Sequence, residues 1–153
     1  MTSEALTALL KARYRLDWDG IHGIAHWQRV RVIGSLLAAS NGADNRVVEA
    51  FAFLHDSCRI DDRADPEHGA RAAMLAAELN GRFLSQDAGR LTLLQFACVH
   101  HEKGKISSHV TIGTCWDADR LDLGRIAIYP DSEYLSTSAA RDADFIEWAY
   151  NLS

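Results

Sequence analysis

The sequence predicts an all-α fold, a single helical domain that spans the whole chain of 153 residues. Apolar residues recur at every third or fourth position through most of the chain, which is the period of an amphipathic helix. Alternation of apolar and polar residues, which would indicate strands, never extends beyond a few positions. The only two prolines, Pro66 and Pro130, leave long stretches free of helix breakers. We expect a bundle of six to seven helices, large enough to bury a sizeable core.

The first three predicted helices have apolar sides and clear ends. The first covers about residues 3–15, with Ser3 as its N-cap. The second covers about residues 24–39 and stops near Gly42, which suits the left-handed conformation that ends many helices. The third begins near Asp44 and runs into a histidine–aspartate pair. The apolar positions that define these helices are Leu6, Leu9, Leu10, Tyr14, Trp27, Val30, Ile33, Leu37, Val47, Val48, Phe51 and Leu54.

The later helices are predicted from the same periodicity and from their end residues. Asp65 and Pro66 predict the start of a fourth helix, with Asp65 as the N-cap and Pro66 at the first helical position. This alanine-rich helix ends near Gly81. Three further helices are predicted over about residues 85–101, 116–128 and 139–152. Pro130 ends the helix predicted over about residues 116–128, which is the sixth of the chain.

Composition and charge argue against several functional classes. The formal net charge of −5 argues against a general nucleic-acid-binding protein, which needs a basic surface. No apolar run is long enough to cross a bilayer and the N-terminus lacks the features of a secretory signal, so we expect no membrane association. The three cysteines are odd in number and lack C-x-x-C spacing, which favours reduced thiols and a cytoplasmic protein.

Polar side chains interrupt the apolar faces of several predicted helices. His55 lies on the apolar side of the third helix and Asp56 follows it directly. His26 opens the second helix, four residues after His22, and Asp119 lies on the apolar side of the sixth. Each residue alone has an ordinary explanation, such as a hydrogen-bonded core histidine or a surface ion pair. One divalent cation would satisfy these imidazoles and carboxylates together, and such a mixed set suits Zn, Mn, Fe, Co or Ni, with Mg also possible. The candidate metal ligands are His26, His55, Asp56 and Asp119.

Three further histidines are candidates for a second metal ion or for contact with an anion. His68 falls in the first turn of the fourth helix, where the helix dipole disfavours imidazolium and keeps the ring neutral. His100 and His101 end the fifth helix, and the helical period does not determine which of them points inward. We expect His68 and His100 as additional ligands and His101 as a substrate contact.

Three segments of the sequence resemble a known family pattern. His26-Trp27-x-Arg29-Val30 is followed by Leu54-His55-Asp56 and then by Asp117-Ala118-Asp119-Arg120-Leu121-Asp122. This arrangement resembles the H…HD…D pattern of the HD-domain superfamily of metal-dependent phosphohydrolases, over about residues 20–126. The resemblance implies a helical bundle of the HD-domain type around a buried metal site, held by the four candidate ligands. The segments Glu67-His68-Gly69 and Val99-His100-His101-Glu102 also resemble members that bind a second metal ion.

The resemblance and the residues together lead us to expect a hydrolase that acts on a small phosphorylated substrate such as a nucleotide. Asp56 would orient a water molecule activated by the metal, or accept its proton. Arg71, three residues after His68, would clamp a phosphate group. The expected catalytic residues are Asp56, His68 and Arg71, and the expected substrate contacts are His22, Arg29, His101 and Arg125. Two alternatives stay open: a di-iron oxygenase of the HD-like type, and a metal-containing nucleotide-binding or sensor module.

Overall fold

The structure, a computed structural model, describes residues 4–153, and within that range the chain forms seven α-helices and no β-strand. Two short 3₁₀ turns, Leu123–Ile126 and Ser132–Tyr134, lie between the last two helices. The prediction of an all-α domain is confirmed. The helices are α1 (Glu4–Arg13), α2 (Ile24–Asn41), α3 (Asn45–Leu54), α4 (His68–Leu79), α5 (Ala88–His100), α6 (Val110–Arg120) and α7 (Ala143–Leu152).

The end of α2 and the start of α3 agree with the sequence prediction. Gly42 adopts a left-handed conformation, with φ of 79°, and its N–H donates to the Ala38 carbonyl, so it closes α2. Asp44 caps α3, because its side chain accepts the backbone N–H of Arg46. The predicted N-cap of α1, Ser3, lies outside the described residues.

The start of α4 differs from the prediction. The helix begins at His68, and the buried carboxylate of Asp65 does not cap it. That carboxylate accepts the N–H of Ile60 at 2.8 Å and the Arg71 guanidinium at 2.6 Å. The charged partner one turn into the helix forms the stronger hydrogen bond, and it ties the loop before α4 to the helix. This loop brings His68 to the interior of the protein.

Helix α6 begins earlier than the sequence predicts, at Val110, and ends at Arg120, after which the chain continues as a 3₁₀ turn. The early residues of α6 include β-branched and glycine residues, which have low helix propensity. Residues 111–118 are nonetheless all buried, so tertiary packing stabilises the helix where local propensity does not. The ring of His109 caps the helix by accepting the N–H of Thr111 at 3.2 Å.

The described helices pack around one core. Helices α3 and α6 each pack on α2 and α5 and on each other, and α4 packs mainly on α5. Trp27, Phe51 and Leu54 have no solvent exposure and lie in this core. No helix in residues 4–153 combines the length and the apolar character that a membrane crossing requires. The beginnings of α2 and α4, the ends of α3 and α5 and the last turn of α6 carry the polar residues that the sequence singled out.

Gly69 allows α4 to approach α5 closely. A Cβ atom at this position would overlap the backbone carbonyl of Cys98. We expect Gly69→Ala to lower the free energy of unfolding by about 1–3 kcal/mol, since overpacking forces the two helices apart. Urea denaturation measures the effect. The control is Gly89→Ala, because the nearest atom to a Cβ there is 3.6 Å away, and this variant should be neutral or slightly stabilising. Equal stability of both variants would contradict the close approach.

Candidate metal centre

Four side-chain atoms from α2, α6 and the end of α3 lie close together in the interior of the protein. The Nε2 atoms of His26 and His55 are 3.1 Å apart. Asp56 Oδ2 lies 3.4 Å from the first nitrogen and 3.5 Å from the second. Asp119 Oδ1 lies 3.2 Å and 3.5 Å from the same two nitrogens. We call this group of four atoms the first site.

The separations within the first site match the spacing of ligands around a cation. Transition metals bind nitrogen and oxygen ligands at about 2.0–2.2 Å, so neighbouring ligands at tetrahedral or octahedral angles lie about 2.9–3.5 Å apart. The distances of the two imidazoles to each other and to the two carboxylates all fall between 3.1 and 3.5 Å. The side chains of His26 and His55 are fully buried, while that of Asp119 is 16% exposed. His26, His55 and Asp56 therefore form a buried group that could hold a cation, and the carboxylate of Asp119 lies against both of its imidazoles.

A second group of atoms, the second site, is formed around the other oxygen of Asp56. Asp56 Oδ1 lies 3.0 Å from His68 Nε2 and 3.5 Å from His101 Nε2. The two Nε2 atoms are 3.0 Å apart. All three side chains are at most 3% exposed. Asp56 thus belongs to both sites, with one oxygen directed to each, and these buried groups could hold metal ions.

The rings of His26, His55, His68 and His101 are all oriented in the same way. Each ring directs Nε2 to one of the two sites and Nδ1 to a hydrogen-bond acceptor. A neutral imidazole that donates through Nδ1 has its lone pair on Nε2, which is the form that binds a metal. The acceptors are the Asp122 carboxylate for His26, the Phe51 and Ala52 carbonyls for His55, the Asp65 carbonyl for His68 and the Cys98 carbonyl for His101.

This orientation brings pairs of lone pairs face to face, at 3.1 Å in the first site and 3.0 Å in the second. Two Nε2 lone pairs at such distances repel unless a proton or a metal cation lies between them. The surrounding charges favour a positive charge at this point. Although burial lowers the pKa of His26, hydrogen bonds to the carboxylates of Asp119, Asp122 and Asp56 outweigh burial and raise it to about 10. A divalent cation would satisfy the nitrogens and the carboxylates of each site together.

The carboxylates of both sites are held in their ionised form. Burial alone would raise the pKa of Asp56, but the neighbouring charge of His55 and the proximity of the His101, His26 and His68 imidazoles hold it well below its usual value. The pKa of Asp119 is also held well below its usual value, because the proximity of the His26 and His55 imidazoles outweighs its burial. Both groups are therefore suited to accept hydrogen bonds or bind cations at neutral pH.

Arg59 and Glu102 extend the second site, and the sequence did not predict either role. Arg59 is buried, and its Nε donates to Asp56 Oδ1 at 3.2 Å. Its Nη2 donates to Glu102 Oε1 at 2.6 Å, and the other oxygen of Glu102 lies 3.5 Å from His68 Nδ1. From sequence, an arginine and a glutamate in polar loops resemble surface residues. The arrangement fixes the orientation of the Asp56 carboxylate.

Asp122 performs a similar positioning role behind the first site. It is fully buried; one oxygen accepts from His26 Nδ1 at 2.7 Å and the other accepts from Arg29 Nε at 2.6 Å. Arg125 donates to the Asp122 backbone carbonyl at 2.8 Å. The structure therefore places Arg29 and Arg125, which were expected to contact the substrate, against Asp122. The sequence contained Asp122 within the motif segment but did not indicate that it positions His26.

Replacing Asp122 by asparagine should weaken metal binding at the first site. The change keeps the size of the side chain but removes the charge that holds the His26 ring and its tautomer, which typically reduces metal affinity by about 10–100-fold. Equilibrium dialysis with Mn²⁺ or Zn²⁺ measures the affinity. The control is Asp144→Asn on the exposed start of α7, which should bind metal like the unmodified protein. Unchanged affinity in Asp122→Asn would contradict the positioning role.

Three other predicted residues lie outside both sites. His100 is half-buried and its ring packs on Phe96 at 4.4 Å between ring centroids, whereas the neighbouring His101 is buried in the second site. His101, not His100, therefore takes the position expected for a ligand beside His68. The other two residues bind elsewhere: His22 Nδ1 contacts Asp62 Oδ1 at 2.9 Å, and Arg71 pairs with Asp65 and donates to the Cys58 carbonyl.

Comparison of the chain with models of protein families, with curated proteins and with solved structures finds no match. The resemblance to the HD-domain superfamily therefore stays an expectation that rests on the motif residues of the sequence. The residues that carry the H…HD…D pattern are His26, His55, Asp56 and Asp119, which are the residues of the first site.

Proposed function

We propose that the protein is a metal-dependent phosphohydrolase that acts on a small phosphorylated molecule such as a nucleotide. The observation that carries the proposal is the carboxylate of Asp56, whose two oxygens each face a pair of imidazole Nε2 atoms. Such a carboxylate is suited to bridge two cations, and paired cations recur in enzymes that cleave phosphate esters. The all-α fold and the sequence resemblance support the same class.

The first site offers two imidazole nitrogens and two carboxylate oxygens, and the second offers two nitrogens and one oxygen. These ligands suit one or two divalent transition metals, namely Mn, Fe, Co, Ni or Zn, with Mg as a further candidate. When bound, such cations lower the pKa of a coordinated water from 15.7 toward about 7 and polarise a phosphoryl oxygen. An octahedral ion takes six ligands, and each site supplies fewer than six protein atoms. Water or substrate could therefore occupy the remaining coordination positions.

In this proposal, the side chains of both sites bind the metal ions and orient the substrate and the attacking water. Asp56 and Asp119 stay ionised at neutral pH, so they act as metal ligands and hydrogen-bond acceptors and not as general acids. Asp119 is the most exposed of the candidate ligands, at 16%, which indicates that solvent reaches the sites from its side. Arg59 and Glu102 hold Asp56 and His68 in place while a substrate enters.

A screen for phosphate release tests the proposal. The purified protein is supplied in turn with Mn, Co, Ni, Fe, Zn and Mg and with a panel of nucleoside mono-, di- and triphosphates, dinucleotides, cyclic nucleotides and sugar phosphates. We expect release from at least one substrate class, dependent on the metal and absent after chelation. The variant Asp19→Asn, at an exposed aspartate near the end of α1, serves as the matched control and should retain the activity. No release with any combination, from protein shown to contain metal, would contradict the proposal.

A di-iron oxygenase is the second candidate function, and the large number of imidazole ligands supports it. Four imidazoles together with a bridging carboxylate suit a pair of iron ions as well as Mn or Zn. Metal analysis combined with oxygen-consumption assays separates the two functions. Two iron ions per chain, oxygen uptake with an organic substrate and no phosphate release would favour the oxygenase and contradict the hydrolase.

A further inference from the structure

A cavity next to the second site is lined by four arginines. It has a volume of about 420 Å³ and is formed by the end of α1, the loop after α3 and one face of α4. We call it the arginine pocket. The arginines are Arg13, Arg15, Arg59 and Arg71, and Glu78 is the only acidic residue in the lining. This concentration of positive charge is unusual for a chain with a net charge of −5.

The acids that balance two of these arginines lie outside the lining of the pocket. Arg59 is paired with Asp56 and Glu102, and Arg71 is paired with Asp65, none of which lines the cavity. These pairs hold the guanidinium groups in fixed positions. Each guanidinium carries five N–H donors, so donors remain for a ligand in the pocket.

Arg15 has no partner within the described part of the chain. It is exposed and lies two residues after the end of α1, and it forms no hydrogen bond or ion pair with residues 4–153. Arg13 is held only by Glu78, at 3.1 Å, and both of these side chains are largely exposed. In residues 4–153, Arg15 has no partner that an anion must displace, and the exposed pair of Arg13 with Glu78 can open at little cost in free energy.

The lining also contains the apolar side chains of Leu10, Ile60 and Leu75. The volume lies within the range of about 300–1,000 Å³ that is usual for small-molecule sites. Guanidinium groups match tetrahedral oxyanions through paired N–H donors. The combination suits a molecule that has a phosphate or similar oxyanion group and a small apolar part.

We propose that the arginine pocket binds an oxyanion, in particular a phosphate group of a small organic molecule, at a location separate from both metal sites. Arg59 connects the two regions, because it lines the pocket and also donates to Asp56. The proposal does not rest on hydrolase activity, since the pocket and its arginines are present whatever reaction the metal sites perform.

Isothermal titration calorimetry with inorganic phosphate, at constant sodium chloride concentration, tests the pocket. The test variant is Arg15→Gln, which should fold normally because the side chain is exposed and has no partner in residues 4–153. Loss of a charge-assisted hydrogen bond should weaken phosphate binding about tenfold. The matched control is Arg31→Gln, at an exposed arginine of α2 outside the pocket, and this variant should bind phosphate like the unmodified protein.

A second comparison separates the pocket from the metal sites, because a bound metal also attracts phosphate. The unmodified protein is titrated as purified and again after passage over a chelating resin, with circular dichroism showing that the helices remain. We expect phosphate binding to persist in the metal-depleted protein. Absence of binding in the unmodified protein, unchanged binding in Arg15→Gln, or loss of binding with the metal would each overturn the proposal.

Discussion

Replacing Asp56 by asparagine is expected to abolish phosphate release and to remove metal from both sites. Among residues 4–153, only the carboxylate of Asp56 directs an oxygen to each site, 3.4 Å from His26 Nε2 in one and 3.0 Å from His68 Nε2 in the other. Asparagine keeps the volume of the side chain but has one neutral oxygen, so it cannot supply an anionic ligand to two cations. We expect turnover to fall by about 1,000-fold or more, which corresponds to about 4 kcal/mol of lost transition-state stabilisation.

The Asp56→Asn variant also separates catalysis from a structural or sensor role. In a hydrolase the variant remains folded at 25 °C, because the hydrophobic core contains many buried residues besides those that pack on the site histidines. Circular dichroism and metal analysis measure the two properties together. Asp19→Asn is the control, and it should keep both the metal content and the activity. A variant that loses metal and unfolds at 25 °C would indicate a structural metal, and a variant with full activity would contradict the assignment of Asp56.

Removing the metal should lower the melting temperature of the protein by about 8–16 °C. A ligand at about 1,000 times its dissociation constant stabilises the folded state by about 4 kcal/mol. For a domain of this size, each kcal/mol shifts the melting temperature by about 2–4 °C. Without the cation, facing Nε2 atoms at 3.1 and 3.0 Å lose the group that holds them together. Differential scanning calorimetry before and after chelation measures the shift.

The two predictions can be checked against each other. Asp56→Asn should melt near the temperature of the chelated protein, and chelation should not lower its melting temperature further. Restoring Mn²⁺ or Zn²⁺ to the chelated unmodified protein should recover the higher melting temperature. An unchanged melting temperature in protein shown to have lost its metal would contradict the account of both sites.

Helical periodicity predicted the residues of the first site well. His26, His55 and Asp119 each lie on an apolar side of a helix, so helix packing carried them to the same interior point. A polar residue on an apolar face is visible in the sequence because it violates the hydrophobic pattern. The sequence could therefore predict which residues meet, although not the hydrogen bonds that fix the tautomer of each ring.

The choice between His100 and His101 could not be made from sequence. The two residues are adjacent at the end of α5, and neighbouring positions on a helix point in directions about 100° apart. Only the packing of α4 against α5, which Gly69 allows, shows that His101 meets His68. Ion pairs between residues far apart in the sequence could not be predicted from it either. Arg59 and Glu102 are 43 positions apart, and each alone resembles a surface charge.

The helix ends were less predictable than the helices. Asp65 has the residue type of an N-cap and stands before a proline, yet Arg71 and the Ile60 N–H compete successfully for its carboxylate. The start of α6 was missed because Val110 and Thr111 have low helix propensity and are held in a helix by tertiary packing. In both cases a contact between separated residues outweighed a local preference.

Anomalous diffraction from crystals of the protein equilibrated with Mn²⁺ or Zn²⁺ tests the central claim most directly, namely that Asp56 bridges two cation sites. We expect one anomalous peak between His26 Nε2 and His55 Nε2 and another between His68 Nε2 and His101 Nε2, with one Asp56 oxygen directed to each. Absence of both peaks at saturating metal would contradict the metal sites, and a single peak with Asp56 bound through one oxygen would contradict its bridging role.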